Sequence, residues 1–189
     1  MLVIAGPPGS GKSTAFPVTS FGIASFNADD RAAELNGGSY QNITPTIRER
    51  VNKEFEDFVS AQIQARESFA IETTLRSNIT FQQAQSAKSA GFDVQMLYLC
   101  AGDFESCLLR VTARGLAGGH SAPAKQLREI YQASIANLPR AIHEMDAIRI
   151  YDNGNAGCEP KLVLEAISGR IKYCFNDAPQ WLANVLPES

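Results

Sequence analysis

The run Gly6-Pro7-Pro8-Gly9-Ser10-Gly11-Lys12-Ser13 follows directly on the apolar stretch Leu2-Val3-Ile4-Ala5. That juxtaposition constrains the chain more than any other feature. The spacing G-x-x-x-x-G-K-S after a buried strand is that of a phosphate-binding loop, in which glycines let backbone N–H groups converge on phosphate oxygens and the following helix aims its positive end at the same anion. Lys12 is expected to reach the β- and γ-phosphates of a nucleoside triphosphate. The Ser13 hydroxyl is expected to ligate the magnesium ion bridging them. Gly6, Pro7, Pro8, Gly9, Ser10, Gly11, Lys12, Ser13 and Thr14 are therefore the predicted nucleotide contacts. The bland alternative is a tight Gly/Pro turn between a strand and a helix.

The rest of the chain reads as alternating strands and helices. Pro17 should keep the helix after the loop short, because it removes a helical N–H bond and clashes with the preceding turn. Ile23 to Asn27 reads as a second strand, followed by a helix running to Gly37-Gly38. Thr44-Pro45 opens a long amphipathic helix with Ile47, Val51, Phe55, Phe58 and Ile63 on one face. Phe69 to Ile71 and Val94 to Cys100 are strands on either side of a helix from Asn78 to Ala90. Asp103 caps a helix running towards Gly115, and Pro123 starts another that is interrupted near Leu138-Pro139. Ile148 to Tyr151 is a fifth strand. Leu162 to Ile167 and Ile171 to Phe175 are either two late strands or a helix and a strand. The alternation predicts an α/β fold of three layers, a mainly parallel central sheet with helices on both faces, because parallel neighbours need long crossovers.

The 189 residues suit one domain, 1–189, with a substantial core. A net charge of −3 lacks the basic excess of a nucleic-acid binder, so nucleic acid is a disfavoured substrate. A strand beginning at the second residue leaves no room for a targeting segment, and no apolar run is long enough to span a bilayer. A cytoplasmic location is expected. Cys100, Cys107, Cys158 and Cys174 show no metal-ligand spacing and are read as reduced thiols.

Ligands of parallel α/β sheets gather at strand carboxyl ends. Asp29 and Asp30 leave strand two; each reads equally as a helix cap or a catalytic carboxylate, and we assign the general base to Asp29 and the cap to Asp30. Glu72 and Thr74 leave strand three, where Glu72 suits a magnesium-bound water or a substrate hydroxyl, and Arg76 suits an anionic substrate. A polar strand exit leading into an N-cap at Ser77 or Asn78 is the structural alternative. The segment from about 114 to 128 reads as a lid in which Arg114 and Arg128 bracket Gly118-Gly119-His120. Arginine suits this task because its planar fork pairs with two phosphate oxygens at once.

The loop G-P-P-G-S-G-K-S-T, the N-A-D-D after strand two, the E-T-T-L after strand three, and Arg114 followed by Gly119-His120, Pro123, Arg128 and Asn137-Leu138 together resemble the zeta-toxin-like P-loop kinases over residues 1 to 155. The resemblance implies a P-loop NTPase-type fold with an Arg-bearing lid and transfer of the γ-phosphate of Mg-ATP to a substrate hydroxyl. That hydroxyl could belong to a nucleotide sugar such as UDP-N-acetylglucosamine. It also implies Asp29 as catalytic base, Lys12 and Ser13 as nucleotide and magnesium contacts, Glu72 and Thr74 as substrate contacts, and Arg114 and Arg128 as phosphate clamps. An antitoxin partner is compatible with the family, though no residue specifies one. Pro17 and Ser121-Ala122 depart from the family pattern. The competing reading is a P-loop ATPase or nucleotide-dependent switch that phosphorylates no small molecule. Its guanine-reading form lacks an N-K-x-D motif, since Asn52-Lys53-Glu54-Phe55 breaks it.

Overall fold

A computed structural model of the protein describes residues 1–119, 122–155, 157–183 and 185–186, so His120 and Ser121 of the predicted lid lie outside the described residues. Seven strands form one sheet: β1 (Leu2–Ala5), β2 (Ala24–Phe26), β3 (Phe69–Thr73), β4 (Gln95–Cys100), β5 (Ala147–Asp152), β6 (Lys161–Ile167) and β7 (Arg170–Cys174). Their order is β2-β3-β1-β4-β5-β6-β7. The first five strands are parallel, and β6 and β7 add antiparallel at one edge. The undecided tail segments are thus two strands, joined by the tight turn Ser168-Gly169.

The helices are α1 (Lys12–Ala15), α2 (Ala28–Leu35), α3 (Pro45–Ala65), α4 (Ile79–Ser89), α5 (Phe104–Leu116), α6 (Ala124–Ala136), α7 (Leu138–Glu144) and α8 (Gln180–Ala183). Alternation along the strands divides the core. Val3, Ala5, Phe69, Ile71, Met96, Tyr98, Ile148 and Ile150 face one side, where Val59 of α3, Phe81 and Ala84 of α4, Leu138 and Ala141 of α7, and Trp181 cover them. Ile4 and Ala70 face the other side, against Phe16, Val18 and Phe21. Helical cover is therefore unequal. Pro17 ends α1 after four residues and leads into a 3₁₀ turn, Val18–Phe21, which packs where a longer helix would otherwise lie. Helices α5 and α6 build a smaller cluster of their own from Phe104, Val111 and Leu127.

The parallel register brings the site together. Ala5 pairs with Thr73 on one side and Tyr98 on the other, so the loop that begins at Gly6 leaves the sheet level with the exit of β3. Central β1, flanked by β3 and β4, opens a crevice at its carboxyl end, as in other open parallel sheets. No described helix is long and apolar enough to cross a membrane.

Candidate active site

The phosphate loop is packed too tightly for side chains. A Cβ on Gly9 would lie 2.3 Å from the Cys107 carbonyl oxygen of α5, so only glycine lets loop and helix approach this closely. The Ser10 hydroxyl is buried with no hydrogen-bond partner among the described residues. A buried polar atom left unsatisfied costs stability.

Lys12 starts α1 and folds back over the loop. Its ammonium donates to the carbonyls of Gly6 at 2.9 Å and Pro7 at 3.2 Å, and it lies 4.0 Å from Glu72 Oε1. Burial lowers the Lys12 pKa, against the opposing pull of Glu72 and Asp29, and Arg114 adds its own repulsion. Glu72 shows the mirror image. Burial raises its pKa, opposed by Lys12 and by the Ser13 hydroxyl. Desolvation thus outweighs the mutual attraction of the pair.

Ser13 donates to both Glu72 oxygens at 3.1 and 3.2 Å, which leaves the lone pairs of its hydroxyl for a cation. Asn27 ties the same carboxylate to α2. Its amide nitrogen donates to Glu72 at 3.3 Å, and its oxygen accepts the N–H groups of Asp29 at 2.9 Å and Asp30 at 3.3 Å. Asn27 is therefore the N-cap of α2, which corrects the assignment of that role to Asp30. An Asn before an acidic first turn is itself a capping signal, so this residue was legible in the sequence. Asp30 instead accepts from the Tyr40 hydroxyl at 2.9 Å. Asp29 is exposed on the first turn of α2, within electrostatic reach of Lys12 and Glu72.

Beyond β3 the chain turns sharply at Leu75, which is fully buried at a φ of 56°. Thr73 Oγ1 accepts the Leu75 N–H at 3.2 Å, and Asn137 donates to the Leu75 carbonyl at 2.9 Å. This turn presents half-buried Thr74 and exposed Arg76. Asn78 precedes α4 without a side-chain capping bond, its oxygen instead accepting from Arg140 at 2.6 Å.

On the opposite side of the loop, Gly9, Gly11, Thr14, Arg110, Arg114, Asn153, Asn155, Gly157 and Cys158 line a cavity of about 460 Å³. Arg110 is held there by the carbonyls of Asn153 and Gly154, at 2.8 and 3.3 Å. Arg128 pairs with Glu105 at 2.8 Å and stacks over the Phe104 ring at 4.0 Å. The structure thus gathers Lys12, Ser13, Asp29, Glu72 and Arg114 around the loop. Among the described residues, no hydrogen bond or ion pair joins Thr74, Arg76 or Arg128 to that group. Nor do three His, Cys, Asp or Glu side chains converge as a metal cage among them.

Residues 1–134 match the family model described as AAA domain. No curated protein matches the sequence. In fold, the chain resembles a chain of the PezAT chromosomal toxin–antitoxin system of Streptococcus pneumoniae, with a TM-score of 0.66 and 17% identity over 98% of this chain and 77% of that one. It resembles a chain of the AvrRxo1-ORF1:ORF2 complex solved with ATP, with a TM-score of 0.67 and 17% identity over 90% of this chain and 59% of that one. A chain of the Pnkp1/Rnl/Hen1 RNA repair complex matches with a TM-score of 0.55 and 24% identity, over 70% of this chain and 43% of that one. This chain therefore spans less than two thirds of the latter two. The shared architecture is an α/β fold around a mainly parallel sheet.

Proposed function

The chain belongs to the AAA-domain family, and from that membership we propose that it is an ATP-dependent kinase that transfers the γ-phosphoryl group to a hydroxyl of a small molecule. The observation that carries the reading is the buried Lys12 beside the half-buried Glu72, with the exposed Ser13 hydroxyl bonded to that carboxylate and the carboxylate of Asp29 within electrostatic reach. A simple ATP-binding module has no need of that second carboxylate. The likeness to a chain solved with ATP supports the choice of nucleotide.

The residues present fit a triphosphate with magnesium. The loop is closed to side chains, and among the described residues the buried Ser10 hydroxyl lacks a partner and the desolvated Lys12 ammonium meets two neutral carbonyls and a carboxylate 4.0 Å away. Ser13 would hold the magnesium ion, which would supply positive charge against the negative charge of the phosphates. Lys12 exchanges its carbonyl contacts for phosphate oxygens, a stronger charge-assisted interaction in a site that burial has already desolvated. Glu72 orients the Ser13 hydroxyl through its two bonds and, through Asn27, fixes where α2 begins. Asp29 on that helix receives the proton of the acceptor hydroxyl as it attacks in line. Arg114, with Arg128 from the facing helix, clamps the transferred group. For Arg128 this requires leaving Glu105, an exposed pair that costs at most about 1 kcal/mol to break. Thr74 and Arg76 meet the acceptor. By the family resemblance, that acceptor is a sugar hydroxyl, with UDP-N-acetylglucosamine the first to try. An antitoxin-like partner is the regulatory counterpart this reading allows.

ADP release measured with and without a pool of cell metabolites tests the proposal. Stimulation by the pool is expected. Asp29→Ala is expected to abolish the stimulated component by roughly 10²- to 10⁴-fold, the usual worth of a general base, while Mg-ATP binding persists. Substrate-independent turnover that Asp29→Ala leaves unchanged would favour an ATPase or switch.

A further inference from the structure

The turn after β5 is bonded to the phosphate loop across nearly the whole chain length. Asn153 Nδ2 donates to the Ser10 carbonyl at 2.9 Å, over a separation of 143 residues. The Asn153 backbone is fixed from two sides, its N–H donating to the Cys100 carbonyl at 2.7 Å and its carbonyl accepting from Arg110 at 2.8 Å. The preceding Asp152 accepts from the Trp181 indole at 2.8 Å, so the C-terminal segment braces the same turn. A Cβ on Gly11 would lie 2.4 Å from Asn153 Nδ2. Amide and loop are therefore in direct van der Waals contact, and the glycine there is what admits the asparagine.

We infer that Asn153 is a positioning residue for triphosphate binding, acting through Ser10. A peptide unit is planar and trans, so a bond that holds the Ser10 carbonyl also sets the direction of the Gly11 N–H. In a phosphate loop the N–H groups are the ligands, and fixing one before the anion arrives removes an ordering cost from binding. Arg110 completes the strut from α5, the helix whose Cys107 carbonyl already packs against Gly9. Loop, α5 and the β5 turn thus form one braced unit around the 460 Å³ cavity.

The inference rests on the phosphate-loop reading, and calorimetric titration of the full chain with Mg-ATP and with magnesium tripolyphosphate separates the two. Wild-type protein that binds neither ligand would overturn the phosphate-loop reading itself, and this inference with it. Where wild type binds both, Asn153→Ala is expected to weaken both by about five- to tenfold, the effect of one lost hydrogen bond, with an unchanged melting temperature. Asn153→Asp has the same shape without the donor, and a loss at least as large is expected. Full affinity for tripolyphosphate in both variants would overturn the inference, whether or not ATP binding falls, because the asparagine would then contact the nucleoside or do nothing. A lowered melting temperature with retained tripolyphosphate affinity would likewise reduce Asn153 to a structural bond.

Discussion

Glu54 shows how a surface charge helps hold α2, the helix that carries Asp29. Arg31 of α2 donates to it at 2.6 Å, and Arg50, one turn earlier on α3, at 2.8 Å. These hydrogen bonds, that of Arg31 foremost, hold the Glu54 carboxyl at about 2, well below its ordinary 4.5. Because the folded-state pKa is depressed, the associated stability is fully present above about 4.5 and is lost as pH falls towards 2. Thermal melts of wild type and Glu54→Gln across that window should show a small gap at neutral pH that closes on acidification. The group is exposed, so the gap is modest and shrinks with salt. A constant gap would remove the charge from the account. The sequence does not reveal this triad, since Arg31 and Glu54 meet only once α2 packs on α3. The Arg50–Glu54 spacing alone reads as an ordinary solvated helix pair.

Elements place what residues cannot. The exit of β3 was legible as apolar residues handing over to Glu72-Thr73-Thr74, because the parallel sheet demands a buried strand there. The left-handed turn at Leu75 was not, because nothing local distinguishes a leucine at positive φ. Such a conformation costs roughly 1–3 kcal/mol and persists only where surroundings over-determine it. Here those surroundings are the Thr73 hydroxyl and the Asn137 amide, from the junction of α6 and α7. Asn137→Ala should lower stability by about 1–2 kcal/mol, since it leaves a half-buried carbonyl unpaired. It should also raise the KM for the acceptor more than that for ATP, because the turn carries Thr74 and Arg76. Steady-state kinetics on both substrates check this, and equal effects on the two KM values would contradict it. The short α1 is a case where sequence sufficed, since Pro17 forbids a longer helix whatever packs around it.

For the molecule as a whole, periodicity and the glycine loop were enough for a mainly parallel α/β sheet with that loop directly after β1. They were not enough for the late hairpin, because runs with four or five apolar residues on each side of Ser168-Gly169 suit helix and strand alike until β5 offers an edge to pair with. Nor did they expose the brace from the C-terminal segment through Asp152 and Asn153 to the loop, whose bonds span 29 and 143 residues. That brace and the carboxylate side of the cleft converge on one claim, that Lys12 and Asp29 serve transfer of a phosphoryl group to an alcohol. Mass spectrometry of a metabolite pool incubated with Mg-ATP and the protein tests it most directly, with Lys12→Ala as the blank. The account predicts a metabolite that gains one phosphate with wild type, and not with Lys12→Ala or Asp29→Ala. ATP consumption by wild type with no metabolite gaining phosphate would contradict it.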